Sequence, residues 1–104
     1  MTTLLIDRSM ADFEARAAEA AGVLKALANE KRLMILCKLL ERGEMSVMPL
    51  AEDVGLSQSA LSQHLAKMRD EGIVGFRRDG QTIFYRLADR NVGRILKTLK
   101  TIYC

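Results

Sequence analysis

The chain has 104 residues, 49% of them hydrophobic, with 16 Lys+Arg against 13 Asp+Glu, one His, two Cys, one Pro and no Trp. That length suits one domain spanning 1–104 and excludes two folded domains and most large enzyme scaffolds, while the apolar fraction and mixed charges exclude disorder. No apolar run is long enough to cross a membrane, MTTLLIDRSM has no secretory h-region, and two cysteines are too few for a disulfide framework, so the expected setting is cytoplasmic and reducing.

Residues 1–8 read as a loose arm. From Ser9, a good N-cap, apolar residues recur at helical spacing: Met10, Phe13, Ala17, Ala20, Leu24 and Leu27. Asn29 can cap a second helix with Leu33, Leu36, Cys37 and Leu40 on one stripe, ended by Gly43. Ser46 is placed to cap a short third helix that tolerates Pro49 in its first turn and stops at Gly55.

A fourth helix, SQSALSQHLAKMRDEG, starts at Ser57 and closes at Gly72. Its apolar positions Ala60, Leu61, Leu65 and Met68 face inward, which leaves Gln58, Ser59, Ser62, Gln63 and Lys67 outside. Two short helices around a tight Gly55-Leu56 turn form a helix-turn-helix, and small polar residues on the outer face of the second suit DNA better than simple solvation does. IVGFRRDGQTIFYRL then reads as two alternating strands joined by a two-residue I′ turn at Asp79-Gly80. That turn sets Phe76 opposite Ile83, Val74 opposite Tyr85 and Arg77 opposite Thr82, with Arg78 and Gln81 flanking the tip.

The last helix, DRNVGRILKTLKTIYC, is capped by Asp89 and carries the stripe Val92, Ile95, Leu96, Leu99, Ile102 and Tyr103. The predicted architecture is mainly α with a β-hairpin: a winged helix-turn-helix in the order α1-α2-α3-α4-β-wing-α5. Apolar faces on both terminal helices exceed what one small core needs, so residues 9–27 and 89–104 are expected to form a homodimer.

Charge divides unevenly. Residues 1–54 hold 7 basic and 9 acidic side chains, whereas 55–104 hold 9 basic and 4 acidic, which is the footprint of an anionic partner, double-stranded DNA before a membrane. Helix-turn-helix geometry presents the start of the second helix to base edges, so Gln58, Ser59, Ser62 and Gln63 are the candidate readers. His64 either contacts DNA or packs at the helix edge. Lys67, Arg77 and Arg78 are phosphate candidates, with Gln81 a weaker one.

The blocks LKALANEKRLMILCKLL, LAEDVGLSQSALSQHLAKMRDEGIV and RRDGQTIFYRL resemble the ArsR/SmtB family of bacterial winged-helix repressors from about residue 20 onward. The resemblance implies a homodimer built on the first and last helices that binds operator DNA until a sensor site fills. Metal-sensing members carry cysteines in the third helix, or an Asp-x-His start to the last. Here the corresponding stretches are EMSVMPL and Asp89-Arg90-Asn91, and no His follows His64, so no metal site and no cofactor are expected. Two thiolates alone remain able to hold a soft ion.

Cys37 and Cys104 resemble the paired thiols of the sulfur-sensing branch of the family. There a low-molecular-weight persulfide, or another thiol oxidant, leads to a disulfide or polysulfide bridge and DNA is released. On packing grounds alone Cys37, on an apolar stripe, also reads as a core residue. A cysteine nucleophile needs an adjacent base, and the one His lies in the DNA-facing helix, so an enzyme is not expected.

Overall fold

The computed structural model describes residues 2–103, with side-chain surroundings from residue 10 onward. Five helices and three strands follow in the order α1 (Thr2–Leu27), α2 (Glu30–Arg42), β1 (Met45–Ser46), α3 (Val47–Val54), α4 (Gln58–Asp70), β2 (Val74–Asp79), β3 (Thr82–Leu87) and α5 (Arg90–Tyr103). This is the winged helix-turn-helix expected from the sequence. No helix among the described residues is long and apolar enough to cross a membrane.

Three of the expected caps act as the sequence suggests, whereas Ser46 stands at the start of α3 without a side-chain capping hydrogen bond. Asn29 Oδ1 accepts from the Arg32 N–H at 3.1 Å, and Ser57 Oγ from the Ala60 N–H at 3.1 Å. Asp89 Oδ1 accepts from the N–H groups of Asn91 and Val92 at 2.8 and 3.2 Å. Each satisfies donors that the first helical turn leaves without an internal partner. Gly55 ends α3 in the left-handed region (φ 69°), which makes the sharp turn into α4 possible without a Cβ clash.

One core joins all these elements. Ile35, Leu36 and Leu39 of α2, Leu50 of α3, Leu61, Leu65 and Met68 of α4, and Val92 and Leu96 of α5 are fully sealed from solvent. Leu33, Cys37 and Leu40 of α2 are half-buried and pack against that cluster. The buried arc of α2 is therefore centred on Ile35, Leu36 and Leu39, beside the stripe the spacing suggested.

Three expectations are corrected. First, α1 begins at Thr2, so Ser9 lies inside the helix and the expected arm is helical. A Ser is worth about 1 kcal/mol as a cap, and residues 2–8 contain neither Gly nor Pro to stop a helix once it has started.

Second, the hairpin turns at Gly80-Gln81. Asp79 pairs with Thr82, Arg78 with Ile83, Arg77 with Phe84, Phe76 with Tyr85 and Val74 with Leu87. A I′ turn at Asp79-Gly80 would require positive φ at Asp79, whereas Gly80 (φ 62°) stands among four glycines that alone have positive φ among the described residues. Positive φ at the first central position only is the II′ pattern. The shift moves each partner by two residues, so every side chain keeps its expected face. Third, β1 adds to the hairpin, pairing Met45 with Tyr85 and Ser46 with Phe84 in a sheet of order β1-β3-β2.

The radius of gyration is 16.4 Å, above the roughly 13 Å expected for a compact chain of this length. The cause is α1. Among its residues 10–27, only Ala26 and Leu27, in the last turn, are buried, while Met10, Phe13 and Leu24 are exposed.

Candidate nucleic-acid interface

Helix α4 divides cleanly by face. Leu61, Leu65 and Met68 enter the core, and Gln58, Ser59, Ser62, Gln63 and Lys67 all lie on the solvent side. No acidic residue occupies its first turn, and Lys67 and Arg69 lie in its last. The exposed surface thus carries amide and hydroxyl groups suited to base edges, at a helix N-terminus whose dipole favours phosphate.

His64 is half-buried at the edge of this face. Burial holds its pKa below the ordinary histidine value, and the positive charges of Arg32 and Lys67 add to that shift. A neutral imidazole in this position has one N–H to donate and one ring nitrogen to accept.

The wing is tied to α4 and to the α2–β1 connection by arginine contacts on its two faces. On one face the Arg69 guanidinium, from the last turn of α4, lies 5.3 Å from the centre of the Phe76 ring, which in turn sits 6.1 Å from the Tyr85 ring. On the other, Arg77 lies 4.6 Å from the Phe84 ring and donates through Nε and Nη2 to both carboxylate oxygens of Glu44, at 2.9 and 2.7 Å. These hydrogen bonds hold the Glu44 pKa below the ordinary carboxylate value and raise that of Arg77.

The structure therefore separates two arginines that look alike in sequence. Arg78 and Gln81 are exposed at the tip, while Arg77 is engaged in a two-point ion pair with Glu44. Arg69 and Glu44 were not among the sequence candidates. Glu44 and Arg77 are 33 positions apart, and nothing in spacing marks them as partners.

Of the two candidate sensor cysteines, Cys37 is half-buried on α2 against the core, and Cys104 lies outside the described residues. A second surface lies between α1 and α5: a groove of about 750 Å³ whose apolar lining includes Phe13, Ala20, Val23, Leu24 and Ile95.

The comparisons agree with this geometry. Residues 29–75 match the family model described as bacterial regulatory protein, arsR family. The HTH-type transcriptional regulator YgaV of Escherichia coli is 46% identical over 91% of this chain and 96% of its own length. The crystal structure of the transcriptional regulator HlyU from Vibrio vulnificus superimposes with a TM-score of 0.84 at 46% identity, covering 92% of this chain and 99% of that one. The transcriptional repressor BigR from Xylella fastidiosa does so with a TM-score of 0.85 at 43% identity, covering 91% and 96%. With a helix-turn-helix, a basic wing and relatives of this kind along nearly its whole length, the chain belongs to the arsR family of bacterial regulatory proteins and is a DNA-binding transcriptional regulator, not an enzyme.

Proposed function

We propose that the protein is a homodimeric repressor that holds operator DNA through α4 and the wing and releases it when Cys37 and Cys104 become bridged. The exposed polar face of α4 beside a basic, clamped wing is the observation that carries the DNA-binding part. Gln58, Ser59, Ser62 and Gln63 are the base readers, Lys67 and Arg78 the phosphate contacts, and Gln81 a further contact at the tip. Arg77 acts by holding the wing. The exposed apolar residues of α1, the groove beside α5, and Ile102 and Tyr103 at 65% and 82% exposure support burial against a second copy. Two recognition helices presented by such a dimer suit half-sites about one helical turn apart.

The switch rests on the resemblance of the cysteine pair and on the half-buried position of Cys37 in α2, the helix that packs on α3, α5 and β3. A persulfide transfers its outer sulfur to one cysteine and leaves as a thiol. The other cysteine then attacks the sulfur bound to the protein, which forms the disulfide and expels hydrosulfide. One persulfide is reduced and two thiols are oxidised, with no other oxidant needed. A crosslink between residues 37 and 104 ties α2 to the end of α5, and a bias of about 1–3 kcal/mol against the operator-binding conformation is enough for a 5–150-fold change in affinity.

The alternative within the same fold is a repressor answering to a metal or another ligand, with Cys37 a packing residue. The double variant Cys37→Ser/Cys104→Ser distinguishes them. The proposal expects it to bind operator DNA and to stay bound after persulfide treatment. Release equal to that of the unaltered protein would refute the thiol switch and favour the alternative.

A further inference from the structure

The first turn of α2 holds two adjacent cations that reach different elements. Lys31 Nζ donates to the Val54 carbonyl at the end of α3, at 2.9 Å. Arg32 Nη1 donates to the Ala26 carbonyl in the last turn of α1, at 3.2 Å, and lies 3.5 Å from the carboxylate of Glu71, the C-cap residue of α4, whose backbone N–H donates to the Lys67 and Arg69 carbonyls. The Arg32 side chain is only 11% exposed. A cation so nearly desolvated persists only where its partners are fixed, and both partners here are helix ends. The α1 carbonyl is also at the negative end of that helix dipole.

Arg32 is thus a bridge between the helix that projects from the domain and the helix that carries the base readers. The bridge matters because, among residues 10–27 of α1, a short stretch seats the helix on the core: Ala26 and Leu27 are buried, Val23 is half-buried, and the exposed Leu24 takes no part. With so little seating, a polar contact in the last turn has leverage over the direction of the remaining helix.

We infer that Arg32 is a positioning residue for operator recognition: through Ala26 and Glu71 it fixes the angle between α1 and α4, and so sets which half-site spacing the protein accepts. This rests on the reading of the protein as a dimer joined through α1. Lysine at this position keeps the charge but offers a compact ammonium in place of a planar fork, and does not span both helix ends. Glu71→Gln keeps the shape and removes the charge from the α4 side alone.

The test uses the full chain and an operator selected by the unaltered protein from random duplexes. Affinities are compared for that duplex, for one with a base pair inserted between half-sites, and for an isolated half-site. The insertion moves one half-site by roughly 3.4 Å and rotates it. The unaltered protein is expected to prefer the selected spacing, within the range of about 5–150-fold typical of coupled sites. Arg32→Lys and Glu71→Gln are expected to bring that ratio towards one while leaving isolated half-site affinity unchanged. Retention of the ratio by both variants, or an equal loss on all three duplexes, overturns the assignment, the latter marking a merely structural role. Should Arg32→Lys fail to fold, Glu71→Gln decides alone. Absence of any spacing preference in the unaltered protein would refute the dimeric reading itself, and the inference with it.

Discussion

Arg78 and Arg77 are neighbours in the wing, and the structure gives them different consequences for the salt dependence of DNA binding. Arg78 stands exposed at the tip, whereas the charge of Arg77 is already matched by Glu44 at 2.7 Å. Each phosphate neutralised contributes about 0.9 to the slope of log K against log salt, so Arg78→Ala in a dimer with two wings should lower the slope by roughly 1.8. The deficit of that variant should therefore be about twelvefold larger at 50 mM than at 200 mM salt. The double substitution Glu44→Gln/Arg77→Gln removes an ion pair of zero net charge. It should leave the slope unchanged, although it loosens the wing and weakens binding by a similar factor at every salt concentration. Fluorescence anisotropy with a labelled operator across a salt series measures both. A double variant whose slope falls as far as that of Arg78→Ala would refute the division of labour drawn from the Glu44 clamp.

Gln63→Ala should reduce discrimination between operator variants, by about 1–3 kcal/mol at the affected base pair, with little change in non-specific binding; competition with mutated duplexes checks it. Thermal stability should fall on acidification in two windows. Burial lowers the His64 pKa, so stability is complete above about pH 6.5, where the unfolded histidine is also neutral, and declines below it as the unfolded chain takes up the proton first. Glu44 is likewise lowered, by Arg77, so its contribution is present above the ordinary carboxylate pKa and is lost as pH falls through the folded value. Melting curves of His64→Gln and Glu44→Gln should each flatten in the corresponding window. Leu61→Ala, at a position with no solvent exposure, should cost about 2–5 kcal/mol in denaturant unfolding, whereas Met48→Ala at 61% exposure should cost little.

Most of the fold was legible because its punctuation is local. Asn29, Ser57 and Asp89 cap the helices they precede, Gly55 makes the turn of the helix-turn-helix, and the inward positions of α4 follow its period. The hairpin's faces were legible too, since alternation fixes them. Its register was not, because Asp79-Gly80 and Gly80-Gln81 both offer a glycine, and only the sign of φ at each central residue chooses between them. Strand β1 is two residues long, too short to show a period, and it exists because β3 offers a free edge.

The candidate site was legible where it depends on one helix face and illegible where it depends on long-range charge pairing. Gln58, Ser59, Ser62 and Gln63 follow from the face of α4. The clamp of Glu44 on Arg77, the Arg69–Phe76 contact and the span of Arg32 from Ala26 to Glu71 join residues distant in sequence, and composition gives no signal for such partners.

The most direct measurement is the intact mass of the reduced protein after anaerobic treatment with glutathione persulfide, with operator binding scored on the same samples. A linkage between Cys37 and Cys104, located by peptide mapping and accompanied by DNA release, is the predicted result. Release of DNA with both thiols unmodified, or a complete crosslink with operator affinity unchanged, would contradict it.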